Sequence, residues 1–163
     1  VVALCACQRA ADHGPDTAVV PPAAVPVVVA TDSAVAAPVT GCPESGLWRQ
    51  CSVERRLERA GLAVRRREEP ARHDFMSVNG LVFETSRSEV QVFLYATAAD
   101  RARDTDGLDT VAVAPRGQHI VWKRPATLVT SNNLAAIILS LNGRQAERSA
   151  LALGAGLPSA APR

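Results

Sequence analysis

A chain of 163 residues with 4% aromatic residues can hold one ordinary domain, whose core must be filled mainly by aliphatic side chains. The formal net charge is only +2, and no basic stripe with interleaved aromatic residues occurs, which excludes a general nucleic-acid partner. No run of 18 apolar residues is present, so no membrane-spanning helix is predicted.

Residues 1–7 read VVALCAC, and in Leu4-Cys5-Ala6-Cys7 one apolar residue and two small residues precede Cys7. This pattern resembles a bacterial lipobox, whose last cysteine receives the lipid. The resemblance implies that residues 1–7 are the remnant of a lipoprotein signal peptide and that Cys7 is the lipid attachment site. The lipid bilayer is then the partner of the N-terminus, and the location is the extracytoplasmic side of the bacterial cell envelope. A truncated ordinary signal peptide is the alternative.

Residues 8–40 are rich in Ala, Pro and Val, and five prolines in this stretch break any helix. Proline also lacks the N–H group that a paired strand donates, so the segment is predicted to be a disordered tether. The alternative for residues 25–29 is docking as an edge strand.

An ordered domain is predicted over residues 41–157, with a flexible tail at 158–163. Cys42 and Cys51 are separated by eight residues, a spacing that fits neither a CxxC redox motif nor a paired zinc site. In an exported protein this spacing favours a disulfide, and two buried thiols are the alternative. Ser52 is predicted to cap a helix over 53–60, which Gly61 ends as the C′ residue.

A strand over 63–68 carries Arg65, Arg66 and Arg67, which we interpret as a face compensated by nearby glutamates rather than an anion site. Asn79-Gly80 predicts a hairpin turn between strands 75–78 and 81–85. The alternation that follows in residues 90–95 predicts a central strand, with Val90, Val92 and Leu94 toward the helices and Phe93 covered from the other side. Thr97 and Asp100 then predict a capped helix over 98–105.

Strands are expected at 110–114 and 119–123 around a turn at 115–117, and at 127–130 and 134–141 around Asn132-Asn133. The apolar residues of 134–141 also have helical spacing, so helix is the alternative there. Asn142 and Gln145 predict a capped last helix over 143–153. The result is an α+β fold, a two-layer sandwich of about three helices on one mainly antiparallel sheet, in the order α-β-β-β-α-β-β-α.

Over roughly residues 42–157 the chain resembles small uncharacterised envelope lipoproteins of bacteria. The resemblance lies in the capped helix before "AGL-V", the segment VQVFLYA-TAADRARD and the stretch NLAAIIL. The shared motifs are structural. The resemblance therefore implies a location and a fold, and it implies no activity.

No catalytic or nucleotide-binding motif occurs, so no catalytic residue, metal or cofactor is predicted. Residues 104–107 lack the first and last ligands of a calcium loop, and their acids are interpreted as helix-end and turn residues. We therefore expect a non-catalytic, membrane-tethered domain with a role in binding or envelope maintenance and an envelope protein as a possible partner. The alternative is a small extracytoplasmic hydrolase that uses His73, Asp74 and a loop serine such as Ser77.

Overall fold

A computed structural model describes Cys42 and residues 45–156. The predictions for Cys7, for residues 1–7, 8–40 and 158–163, and for docking of 25–29 lie outside the described residues. The described part has the predicted α+β class and element order. Its helices are α1 Gln50–Arg59, α2 Ala98–Thr105 and α3 Gly143–Gly154. None of the described helices has the length and apolar character needed to cross a membrane.

The main sheet has five strands in the order β1-β2-β3-β7-β6, and all neighbouring strands are antiparallel. Two further strands, β4 and β5, form a separate two-stranded sheet. The bounds are β1 Arg65–Ala71, β2 Gly80–Glu84, β3 Ser88–Leu94, β4 Leu108–Asp109, β5 Ala114–Pro115, β6 Ala126–Ser131 and β7 Leu134–Ser140.

The sheet is covered on both faces, and its side chains alternate between two hydrophobic clusters. On the first face, Val90 and Val92 pack with residues of α1 and α3 such as Leu57 and Leu153. Leu94, which is partly buried, packs against the same cluster, so the predicted orientation of β3 is confirmed. Phe93 belongs to the second face, where loop residues complete the cluster; these include Met76, Leu108 and Val113.

Burial of both faces explains the sequence of β7. All seven of its residues are buried, from Leu134 to Ser140. A strand without a solvent-exposed face shows no alternation of apolar and polar residues. Its continuous apolar run can therefore also match the spacing of a helix. The strand prediction for 134–141 is confirmed, and so is the two-residue turn before it, where Asn132 has a φ of 49°.

Two of the three predicted N-caps, Thr97 and Asn142, are present. Thr97 Oγ1 accepts a hydrogen bond from the N–H of Asp100, and Asn142 Oδ1 accepts one from the N–H of Gln145. Gly61 has a φ of 73°, and the N–H of Leu62 donates to the carbonyl of Leu57, which ends α1 in a Schellman motif. The start of α1 differs from the prediction, because Ser52 lies inside the helix and accepts from the N–H of Arg49.

The predicted hairpin at Asn79-Gly80 is wrong. Residues 75–78 form no strand, and Gly80 is the first residue of β2, opposite Ala71 of β1. Gly80 is needed for close packing and not for a turn, because a Cβ atom at this position would lie only 2.7 Å from Cε1 of Phe93. The glycine is required by a ring thirteen residues away, which local turn preferences do not reveal.

Three further strand predictions need correction, those for 63–68, 110–114 and 119–123. β1 continues through Pro70, at an irregularity of an edge strand where proline's missing N–H is tolerated. Residues 110–113 and 119–123 are not strands, and β5 contains only Ala114 and Pro115. The carboxylate of Asp109 accepts hydrogen bonds from the N–H groups of Val111 and Ala112, which folds the chain into a turn.

Candidate functional site

A groove of about 730 Å³ lies on the second face of the sheet. Val82, Gln91 and Leu139, from β2, β3 and β7, contribute to its floor. The end of β1, the loop that follows it and residues 120–124 complete the lining. It contains a histidine and an aromatic ring, His73 and Trp122.

His73 is held by a chain of hydrogen bonds along β3. Its Nε2 atom lies 2.7 Å from Oε1 of Gln91, and Nε2 of Gln91 donates to Oε1 of Glu89 over 2.6 Å. Since an amide oxygen only accepts, this arrangement places the proton of His73 on Nε2. The imidazole therefore donates into the protein, and Gln91 fixes its orientation.

Three aromatic side chains surround the imidazole of His73. Phe75 stacks on it with a ring-centroid distance of 5.1 Å, and Trp122 meets it edge-on at 5.2 Å. Phe93 is tilted at 5.8 Å. The indole N–H of Trp122 donates to the carbonyl of Ala112, so the tryptophan is fixed as well. These contacts make one side of the groove a rigid aromatic wall.

Cations outnumber acids around the groove. Four basic side chains and two acidic ones line it: Arg67, Arg72, Lys123, Arg124, Glu69 and Glu89. Arg67 pairs with Glu69 and Glu84, so part of the Arg65–Arg67 face is compensated, as predicted. No ion pair to Arg72, Lys123 or Arg124 is formed within the described residues. The groove therefore favours an anionic group.

The residues of the hydrolase alternative have separate partners. The hydroxyl and the N–H of Ser77 both donate to Oδ2 of Asp104, whereas His73 donates to Gln91. Asp74 is exposed, and no hydrogen bond joins it to His73 or Ser77 in the described part of the chain. The structure does not assemble these three side chains into a nucleophile–base pair.

Asp104 is the centre of a small polar cluster. It accepts hydrogen bonds from Ser77 and from the hydroxyl of Tyr95, the latter over 2.9 Å. Burial works against its charge, but the hydrogen bonds from Ser77 and Tyr95 outweigh that effect and lower its pKa. Burial of Tyr95, followed by its hydrogen bond to Asp104, raises the pKa of the phenol. This pairing attaches α2 to the end of β3.

Asp104 is thus engaged by protein donors, and Asp106 follows α2 as its C-cap residue. The interpretation of these acids as helix-end and turn residues is confirmed. No group of three or more His, Cys, Asp or Glu side chains able to hold a metal ion occurs in the described residues.

Cys42 and Cys51 are joined by a disulfide, and their Cα atoms are 5.7 Å apart, within the range predicted for the pair. The bond ties the entry of the domain to the first turn of α1.

Sequence reasoning selected His73 but not the residues that surround it. Gln91, Phe93 and Trp122 belong to distant parts of the chain, and no local motif connects them to His73. The weak signal in the sequence was the rarity of aromatic residues: of two tryptophans, one lies in a segment without regular structure beside a Lys-Arg pair.

Comparison with protein-family models, with curated proteins and with solved structures found no match to this chain.

Proposed function

We propose that this protein is a non-catalytic, membrane-tethered domain of the bacterial cell envelope that binds an acidic segment of an envelope protein in the groove beside His73 and Trp122. The observation that carries the proposal is the pairing of a rigid aromatic wall with a predominantly cationic rim. Aromatic faces supply contact area at small entropic cost, and arginines recognise carboxylates.

The absence of a bound nucleophile beside His73 in the described part of the chain supports binding over acid–base chemistry. Donation of its Nε2 proton to Gln91, which is held by Glu89, leaves Nδ1 as the nitrogen that could accept a proton. A general base needs a reacting group within hydrogen-bond reach of that nitrogen. Within the described residues no hydroxyl or thiol is hydrogen-bonded to His73, and Ser77 donates to Asp104 instead.

The envelope address is supported by two features of the chain. The disulfide Cys42–Cys51 is typical of oxidising compartments outside the cytoplasm. The lipobox-like Leu4–Cys7 stands before the stretch rich in Ala, Pro and Val, so a lipid on Cys7 is part of the proposal. Replacement of Cys7 by Ala in the full-length gene product should move the protein from the membrane fraction to the soluble fraction. An unchanged distribution would refute the anchor.

Site-directed photocrosslinking tests the groove. Val121 lines it and is 83% exposed, whereas Val111 is 89% exposed and lies outside it. A benzophenone amino acid at position 121, in cells that express the full chain, should give one discrete protein adduct. The same probe at position 111 should give none, which controls for exposure and for the chemistry.

Three further variants test whether the adduct depends on the groove. Trp122→Ala or Arg72→Glu should weaken the adduct from position 121, because each removes a proposed contact. Ser77→Ala should leave it unchanged, because Ser77 is bound to Asp104 outside the groove. Equal adducts from both positions, or an adduct insensitive to Trp122→Ala, would overturn the proposal. Cleavage of the captured partner that depends on Ser77 would favour the hydrolase instead.

A further inference from the structure

A second surface of the domain combines an exposed leucine with three exposed arginines. Leu141 is 77% exposed and lies between β7 and α3. It lines a concavity of about 770 Å³ together with Arg87, Arg124 and Arg144. We call these four residues the Leu141 patch. The other residues that line the concavity, Ser86, Asn142 and Gly143, are uncharged.

The exposure of Leu141 is imposed by its surroundings. Ser140 is buried, its N–H donates to the carbonyl of Pro125, and its hydroxyl accepts from the N–H of Asn142. Asn142 in turn caps α3. Both neighbours of Leu141 are fixed, so the leucine is presented at a rigid corner of the domain.

No described acidic residue forms a salt bridge with the arginines of the patch. All three are exposed, and no salt bridge within the described residues involves Arg87, Arg124 or Arg144. Three arginines bring positive charge to one concavity that no described acidic residue lines. Such an arrangement attracts a surface of negative charge.

We propose that the Leu141 patch contacts the surface of an anionic phospholipid bilayer, with Leu141 inserted among the acyl chains and the three arginines on lipid phosphates. An apolar side chain ringed by cations matches the boundary between headgroups and acyl chains, where arginine places its stem in the apolar layer and its guanidinium in the polar one. An acidic protein surface would satisfy the arginines but would leave the leucine without a matching apolar layer.

This contact does not depend on the groove or on the anchor at Cys7. Arg87, Arg144 and Leu141 are absent from the groove lining, and only Arg124 is common to both surfaces.

Vesicle co-sedimentation of the unlipidated full chain tests the proposal. Vesicles of phosphatidylglycerol and phosphatidylcholine in equal amounts should bind the protein, and pure phosphatidylcholine vesicles should bind it much less. Binding should fall as salt rises to about 1 M, where charges are screened within about 3 Å. Arg87→Gln and Arg144→Gln should each weaken binding about fivefold, and Leu141→Ser about tenfold.

Matched controls separate the patch from general charge and apolarity. Arg65→Gln removes an exposed arginine that pairs with Glu84, and Val111→Ser removes a more exposed apolar side chain elsewhere. Both should bind vesicles like the unmodified chain. Equal loss in these controls, or absence of vesicle binding, would overturn the proposal. Tight binding of soluble glycerol phosphate that displaces the vesicles would also overturn it, because the site would then be a pocket for a free phosphate.

Discussion

The ring of Phe93 determines the residue at position 80. The ring is fully buried between β2 and the loops of the second face, and a Cβ on residue 80 would approach three of its carbon atoms within 3.1 Å. Gly80→Ala should therefore lower the free energy of unfolding by about 1–3 kcal/mol, the usual cost of overpacking. Urea unfolding followed by circular dichroism measures this loss.

Gly107 provides the matched control, because a Cβ there has no neighbour within 4 Å. Gly107→Ala should change the unfolding free energy by less than about 1 kcal/mol. Phe93→Leu in the Gly80→Ala background should restore part of the loss, since the smaller side chain vacates the contested space. Equal costs for both alanines would show that the Phe93 contact does not select the glycine.

Tyr95, the only tyrosine of the sequence, should titrate only when the domain unfolds. Burial, and then its hydrogen bond to Asp104, raise the pKa of the phenol above the ordinary value of 10.0. The folded state holds the proton where the unfolded chain releases it, so the free energy of unfolding falls as pH rises above 10.0. Tyrosinate absorbance and circular dichroism, recorded together, should change at the same pH.

Urea-unfolded protein provides the reference, because its tyrosine should ionise near pH 10. Tyr95→Phe should lose part of the decline in stability at alkaline pH. Tyrosinate formation near pH 10 in a protein that is still folded would contradict the raised pKa.

The β6–β7 hairpin is fastened to two other segments by Asn133. The side chain of Asn133 accepts from the N–H of Trp48 and donates to the carbonyls of Trp48 and Tyr95, all in the interior. Asn133→Ala leaves a buried N–H and two buried carbonyls without these partners, so we expect a loss of about 2–4 kcal/mol. Thermal unfolding with a denaturant series measures it.

The adjacent Asn132 is the control within the same turn. It has a φ of 49° and donates to the carbonyl of Gly46. Asn132→Gly loses that hydrogen bond but adopts the same backbone conformation easily, so its cost should stay below about 1 kcal/mol. A larger loss at Asn132 than at Asn133 would mean that the turn, not the buried amide, holds these segments together.

The elements that the sequence predicted well are those whose signals are local. Thr97 and Asp100 cap α2, and Gly61 ends α1, because these contacts join residues within a few positions of one another. The turn predicted at Asn79-Gly80 is wrong because the glycine is needed for close packing against Phe93. The strand predicted at 119–123 is wrong because these residues favour strands but have no neighbouring strand to pair with. A contact made through the tertiary fold leaves no trace in local periodicity.

The disulfide Cys42–Cys51 fixes the segment before α1 to the first turn of that helix. Cys42 and Cys51 are nine positions apart, and closing a loop of that size stabilises a protein by about 2–3 kcal/mol. Replacement of both cysteines by serine should lower the melting temperature of the oxidised protein. The unmodified chain, once reduced, should have the same melting temperature as the double variant. Equal melting temperatures of the oxidised and the reduced unmodified chain would contradict a stabilising bond.

Across the whole molecule, the candidate groove was only partly predictable. The sequence indicates His73 as a candidate residue, and it suggests Asp74 and Ser77 as partners only because they are close to it in the chain. Its actual partner Gln91 comes from β3, and Trp122 from a segment that crosses the second face. The antiparallel sheet places residues of β1 and β3 beside that segment on its second face, and together they form the groove. To predict the groove, one would have to know the order of the strands in the sheet.

Because β3 and β7 supply side chains to both hydrophobic clusters, the two faces of the sheet should unfold together. Val92 and Phe93 are consecutive in β3, yet the first belongs to the helix face and the second to the loop face.

The two tryptophans report on these faces separately. Trp48 is buried in the first cluster, and Trp122 packs against the second. In Trp122→Phe and in Trp48→Phe, the fluorescence midpoint in urea should equal the midpoint by circular dichroism of the same variant. The comparison within one variant removes any difference in stability between the two substitutions. Loss of Trp122 fluorescence before the sheet signal in Trp48→Phe would show that the loop face opens on its own, and the groove would then be a separately folding part of the domain.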